Sequence, residues 1–155
     1  MQIFYKHGED PYLQTLGTTG VGGEGNHQFK NPDGIAVDPG PNGHIYVADK
    51  GNERVQEFTK AGAYVRTFGV TGQAGQDNAH FNWPMGVSVD PGPGGCVYVA
   101  DSGNARIQIF SKEGVYVRTL NNQLREPHGV FAEPGPNGGI YVADTENSRV
   151  LVFSK

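Results

Sequence analysis

The sequence predicts an all-β protein built from repeated four-stranded antiparallel sheets, and three observations carry that prediction. The string Tyr-Val-Ala-Asp occurs at Tyr46–Asp49, Tyr98–Asp101 and Tyr141–Asp144. Each copy is followed at fixed distance by an Asn and an Arg: Asn52 and Arg54, Asn104 and Arg106, Asn147 and Arg149. Short β-type runs flank each copy, separated by Gly, Pro and Asn turns. Helical periodicity is lacking, and Pro and Gly recur too often for a helix of more than about two turns. Recurrence at roughly 45 residues marks an array, and a four-stranded meander at that period is a β-propeller blade.

Each unit opens with an apolar residue, two spacers and Pro-x-Gly: Phe29 with Pro32-Asp33-Gly34, Phe81 with Pro84-Met85-Gly86, Leu124 with Pro127-His128-Gly129. A first run follows (Ile35–Asp38, Val87–Asp90, Val130–Glu133), then a Pro-Gly-Pro-x-Gly turn and the Tyr-Val-Ala-Asp run. A polar loop leads to the third run, Arg54–Phe58, Arg106–Phe110 and Arg149–Phe153. After a Lys-x-Gly turn come fourth runs at Tyr64–Phe68 and Tyr116–Leu120; the third unit has none. The N-terminus carries spare copies: Gln2-Ile3-Phe4 matches Gln108–Phe110, and Tyr12–Leu16 matches Tyr116–Leu120. The connector after the fourth run is long at Gly69–Asn82 and short at Asn121–Glu126, as expected of loops on one face of an array. One domain over 1–155 is expected, with units at 29–69, 81–120 and 124–155 and residues 2–17 completing a blade.

The pattern Pro-x-Gly, apolar run, Tyr-Val-Ala-Asp-x-x-Asn-x-Arg, closing on Phe, resembles the NHL repeat over residues 29–155, with 2–17 as the tail of a preceding unit. The resemblance implies a β-propeller, most often six-bladed, whose members include protein binders and RNA binders. A distant enzymatic branch, the peptidyl-α-hydroxyglycine α-amidating lyases, uses metal in the central channel. Fold follows from such a resemblance far more than function does. Three blades cannot close a ring, and the end blades would expose apolar faces and unpaired edges. The expectation is a homodimer closing a six-bladed ring, with Tyr12–Leu16 of one copy completing the third blade of the other. The competing reading is a piece of a larger propeller, or an engineered half, with no function of its own. The overlap of residues 2–6 with Arg149–Lys155 favours that alternative.

Composition narrows the function classes. Net charge is −4, which argues against a general polyanion binder, since phosphate contacts need clustered Lys and Arg. A local patch among Lys6, Lys30, Lys50, Arg66 and Arg118 keeps RNA binding as a lesser alternative. No window approaches the roughly 18 apolar residues of a membrane span, and Met1–Lys6 does not read as a signal peptide. A soluble protein without membrane partners is expected, its compartment left open. The single Cys96 reads as a small, buried apolar residue.

Four sets of residues could carry chemistry. Asp49/Arg54, Asp101/Arg106 and Asp144/Arg149 flank tight turns at a spacing suited to a charge-assisted pair. Repetition in every unit makes them structural locks, with Asn52, Asn104 and Asn147 as turn residues. The x of Pro-x-Gly varies inside a constant frame, so Asp33, Met85 and His128 are the candidate ligand positions facing the central channel. His128 is the candidate metal ligand, and one His falls short of the usual three protein ligands of catalytic zinc. Neither metal nor any other cofactor is expected. His27, His80 and Trp83 border the long connectors and are the candidate partner contacts, against a reading in which Trp83 packs under its loop and each His caps a turn. Gly20–Gly25 has the spacing G-x-G-x-x-G but does not join a strand to a helix, so it is a connector and not a dinucleotide site. A nucleophile elbow is lacking. The leading function is a non-catalytic module binding a protein or peptide on its loop-rich face; the alternatives are a channel lyase or hydrolase using His128 and Asp33, and RNA binding.

Overall fold

A computed structural model describes residues 2–4, 12–91 and 94–155. Its strands are β1 (Gln2–Phe4), β2 (Tyr12–Thr15), β3 (Pro32–Val37), β4 (His44–Asp49), β5 (Arg54–Thr59), β6 (Tyr64–Gly69), β7 (Pro84–Val89), β8 (Cys96–Asp101), β9 (Arg106–Ser111), β10 (Tyr116–Leu120), β11 (Pro127–Ala132), β12 (Gly139–Asp144) and β13 (Arg149–Ser154). They form antiparallel meanders in chain order. Blade 1 is β3-β4-β5-β6, blade 2 is β7-β8-β9-β10 and blade 3 is the three-stranded β11-β12-β13. Strands β1 and β2 pair with each other as a separate two-stranded sheet.

The second and third strands of each blade are joined by one turn of 3-10 helix, at Lys50–Asn52, Ser102–Asn104 and Thr145–Asn147. The next residue is left-handed in every case: Glu53 (φ 56°), Ala105 (φ 53°) and Ser148 (φ 50°). A non-glycine residue there costs about 1–3 kcal/mol and persists where its surroundings over-determine it. Those surroundings include the Asp-Asn-Arg lock described below.

Blades pack face to face, so both faces of a central strand are covered. From β4, Tyr46 and Ala48 join Val55 and Phe68 against Phe81, Val87, Val97 and Phe110 of blade 2. Ile45 and Val47 point the other way, onto Leu16 and Phe58. Between blades 2 and 3, Tyr98, Ile107 and Ile109 meet Ile140 and Val142. Fully burying an aliphatic or aromatic side chain of this kind contributes about 1.5–3 kcal/mol, which makes these interfaces the core.

The first strands of successive blades converge closely. A methyl group on Gly34 would overlap the Met85 carbonyl oxygen, and one on Gly86 would overlap the His128 carbonyl oxygen. Glycine is therefore required after Pro-x for the blades to approach. Ion pairs tie neighbouring blades at the other end of that strand: Lys112 Nζ to Asp38 Oδ2 at 2.6 Å, and Lys155 Nζ to Asp90 Oδ2 at 2.7 Å.

The end faces show what a missing neighbour means. Ile107 and Ile109 of blade 2 are 0% and 2% exposed, whereas Val150 and Val152 at the same register of blade 3 are 65% and 61% exposed. Phe131 and Tyr141, paired across β11 and β12, complete that apolar face. On blade 1 the exposed residues are Ile35 and Val37, whose counterparts Val87 and Val89 are buried. In this single chain, β2 is paired with β1 and not with blade 3. Cys96, expected in the interior, is half-buried at the start of β8 against the cluster between blades 2 and 3.

Candidate functional site

The repeated Asp, Asn and Arg form one hydrogen-bonded unit per blade. Asp49 Oδ2 accepts from Arg54 Nε and Asn52 Nδ2, both at 2.8 Å, while its Oδ1 accepts from the Lys30 N–H at 2.7 Å. The other nitrogens of Arg54 donate to the Glu24, Gly25 and Gln28 carbonyls at 2.7–2.9 Å. In blade 2, Asp101 takes Arg106 Nε, Asn104 Nδ2 and the Asn82 N–H at 2.6–2.9 Å. Arg106 reaches the Gln76, Asp77 and His80 carbonyls. Blade 3 repeats the carboxylate half, with Arg149 Nε at 2.7 Å, Asn147 Nδ2 at 2.8 Å and the Arg125 N–H at 2.6 Å. Across its short connector, however, Arg149 meets carbonyls only at 3.2 and 3.4 Å. Burial tends to raise the Asp144 carboxyl, but the Arg125 N–H, Asn147 and Arg149 outweigh it and hold the group below its ordinary value. All three carboxylates are consumed by these contacts, which organise the connectors.

The connectors thus held shape the loop-rich face, and Trp83 stands out on it. Its side chain is 53% exposed, so it does not pack under the loop. Its backbone is left-handed at φ 52°, ahead of Pro84, and its N–H donates to Glu53 Oε2 of blade 1 at 2.6 Å. Lys50 Nζ lies 5.7 Å from the ring centroid, a cation–π distance. Burial pushes the Glu53 carboxyl up, partly offset by the Trp83 N–H and Lys50. An indole is thereby fixed at the seam of blades 1 and 2, with a cation beside it. Lys50 stands out in the sequence only as one cation of a candidate basic patch, and nothing marks Glu53 until the neighbouring blade brings Trp83 against both.

The two histidines differ from Trp83. His80 Nδ1 pairs with Asp77 Oδ1 at 2.7 Å, and its carbonyl serves the Arg106 lock, so it works as a turn residue. His27 is exposed, with its ring 6.0 Å from Phe58. At the start of the first strands, Asp33 and His128 are exposed and Met85 is half-buried. Among the described residues, no three His, Cys, Asp or Glu side chains come together in a metal-binding group. Of the candidate basic patch, Arg66 Nε pairs with Glu57, Arg118 donates to the Ser154 carbonyl, Lys50 sits by Trp83, and Lys6 lies outside the described residues. Among the described residues no helix is long and apolar enough to cross a membrane.

A charged cluster inside blade 1 was not foreseen. Glu57 is buried with Arg66 Nε at 2.7 Å, the Tyr46 hydroxyl at 3.2 Å and His44 Nδ1 at 2.5 Å. Burial first, then the Glu57 charge, pushes the Tyr46 phenol far up. The same register holds Ile109 in blade 2 and Val152 in blade 3.

Repeated blades, a conserved lock geometry and variable connectors define a β-propeller repeat protein. The NHL repeat model matches residues 29–58, 81–110 and 124–153, more than half of the chain, which therefore belongs to the NHL-repeat family. The chain is 34% identical over 117 residues to human NHL repeat-containing protein 3, covering 74% of this chain and 33% of that protein. It is 33% identical over 91 residues to Protein brain tumor of Drosophila melanogaster, covering 59% of this chain and 8% of that protein. The chain spans at most about a third of these relatives. Among solved structures, an auxiliary nutrient binding protein from Bacteroides thetaiotaomicron aligns with a TM-score of 0.57 at 16% identity. That alignment covers 75% of this chain and 36% of that one and is a likeness of fold alone.

Proposed function

We propose that this chain is a non-catalytic binding module that takes a protein or peptide on its loop-rich face, centred on Trp83, and completes a six-bladed ring with a second copy of itself. The observation that carries the binding reading is the exposed indole at the seam of blades 1 and 2, with Lys50 beside it. The left-handed backbone recurs at Asn31 and Glu126 and belongs to the repeat, so the weight rests on the exposed indole, the residue type richest in interface hot spots. Connectors of different length around a constant scaffold supply the variable part of such a surface. The ring reading is supported by the apolar end faces, Phe131, Tyr141, Val150 and Val152 on one side and Ile35 and Val37 on the other.

Trp83 is the only tryptophan, so its fluorescence reports directly on this face. Peptides selected on the protein from a displayed library are expected to shift that emission and to bind at least roughly tenfold more weakly to Trp83→Ala, the loss of a hot-spot contact. Selected peptides that leave the emission unchanged and bind Trp83→Ala with full affinity would remove this face as the site. Light scattering reads the second half of the proposal, with a dimer expected and a stable monomer refuting it.

A further inference from the structure

The two open ends of the chain carry complementary halves of contacts that the inner blade junctions show complete. At both inner junctions a Lys following the third strand of one blade pairs with the carboxylate closing the first strand of the blade before: Lys112 with Asp38, and Lys155 with Asp90. Lys155 also donates to its own blade's turn, at the Glu133 and Gly135 carbonyls. Lys60 makes the equivalent half, donating to the Pro39 and Gly40 carbonyls at 3.1 and 2.6 Å. Among the described residues it makes no direct ion pair, although its charge acts on Asp38 of its own blade, which Lys112 already holds. The carboxylate in the matching position of blade 3 is Glu133, which among the described residues accepts only from its own blade's Gly139 N–H.

Two further contacts repeat this asymmetry. The second connector grips the blade before it, Gly72 N–H donating to the Asn52 carbonyl at 2.8 Å. The first connector has the same shape: Gly17 and Gly20 (φ 93° and 74°) correspond to Gly69 and Gly72 (φ 87° and 72°), and the bridge Gly22–Phe29 corresponds to Ala74–Phe81. It forms a groove lined by Leu16, Gly17, Gly20, Val21 and Asn31. In blade 3 the carbonyl matching Asn52 belongs to Asn147. Lastly, Gly34 and Gly86 abut the carbonyls of Met85 and His128, whereas a methyl on Gly129 would meet only its own blade's Ala143 Cβ, at 3.5 Å.

Resting on the two-copy ring proposed above, we infer that blade 3 of one copy docks on blade 1 of the second through three defined contacts, each made twice. Lys60 Nζ pairs with the Glu133 carboxylate. The Gly20 N–H donates to the Asn147 carbonyl. Gly129 lies against the Asp33 carbonyl, completing the series Gly34–Met85 and Gly86–His128. The occupant is a second copy because each end supplies the charge, the donor and the space that the other lacks.

The test is sedimentation of the full chain and three variants. Lys60→Glu or Glu133→Lys alone places like charges together at both junctions, and each is expected to weaken the dimer at least tenfold. An equimolar mixture of the two variants pairs opposite charges at both junctions of the mixed ring, and is expected to restore wild-type affinity. Gly129→Ala, which has room for its methyl in the single chain, is expected to weaken the dimer at least tenfold without lowering the stability of the chain at dilutions where it is monomeric. A wild-type monomer would overturn the two-copy reading itself. A wild-type dimer unaffected by Gly129→Ala, or charge variants whose mixture is no tighter than either alone, would overturn these contacts and leave the dimer standing.

Discussion

The Asp-Arg locks offer a controlled comparison, because one motif appears buried in blade 1 and open in blade 3. Consider Arg54→Met beside Arg149→Met. The Arg54 side chain is 1% exposed, and it serves Asp49 and three connector carbonyls at 2.7–2.9 Å. Removing it leaves a buried carboxylate without its cation and takes one donor from each of three carbonyls, of which Gly25 and Gln28 keep a second, and this costs about 3–5 kcal/mol. Arg149 is 39% exposed and its carbonyl bonds are long, so water replaces most of what it supplies. Asp144 is itself buried but keeps Asn147 and the Arg125 N–H, and its partly exposed cation contributes about 1 kcal/mol at most. The expected gap is therefore about 2–5 kcal/mol between two substitutions that look identical in the sequence. In a chain of this size each kcal/mol moves Tm by about 2–4 °C, so Arg54→Met should fall by at least about 6 °C and Arg149→Met by no more than about 4 °C. Urea unfolding at one fixed protein concentration measures both, since self-association shifts apparent stability. Equal losses, or a larger loss for Arg149→Met, would show that burial does not set the strength of the lock.

Three other outcomes follow from the same structure. Glu57→Ile, which installs the residue found at that register in blade 2, should cost about 1–3 kcal/mol in denaturant stability, because Arg66 reaches water but the buried Tyr46 hydroxyl loses its acceptor; a gain in stability would contradict this. Trp83→Asn, matching Asn31 in blade 1, should raise stability by up to about 1 kcal/mol by relieving a left-handed tryptophan while weakening peptide binding, and calorimetry with fluorescently labelled peptide reads both. Acid should destabilise the fold: burial raises the Asp38 carboxyl, but the Lys112 hydrogen bond and charge bring it below its ordinary value of 3.8. A depressed carboxyl contributes stability that is full above its ordinary value and lost as pH falls through the folded one, so Tm should hold to about pH 5 and drop below it, less steeply in Lys112→Met. A Tm that rises on acidification would refute that sign.

The blades and locks were legible because they recur. Three copies of Tyr-Val-Ala-Asp with Asn and Arg at constant spacing fix which strands pair and which side chains meet, and β4, β8 and β12 all end on the Asp of that motif. The column pairing Lys112 with Asp38 and Lys155 with Asp90 was equally present in the repeats, and went unread because single Lys residues after a turn look like surface charge. Glu57 was illegible for a different reason. Alternation of polar and apolar residues marks an inside and an outside only when one face of a sheet is wet, and here Gln56, Glu57 and Gln108 are all buried in blades covered on both faces. The setting of Trp83 depends on Lys50 and Glu53 of the neighbouring blade, a contact no local pattern encodes.

The Oδ1 atoms of the three lock carboxylates each hold one backbone N–H, those of Lys30, Asn82 and Arg125, two residues ahead of the Pro that starts the carboxylate's own sheet. Every blade therefore begins from a pinned point, whatever the chain does between the preceding strand and that point. Segments as different as Gly69–Asn82 and Asn121–Glu126 already enter the same pin. The consequence is mechanical insulation of each sheet's first residue: connectors can differ in length as long as they still offer the carbonyls that the lock arginine holds. The scaffold is thus a natural host for grafted recognition loops beside a fixed indole.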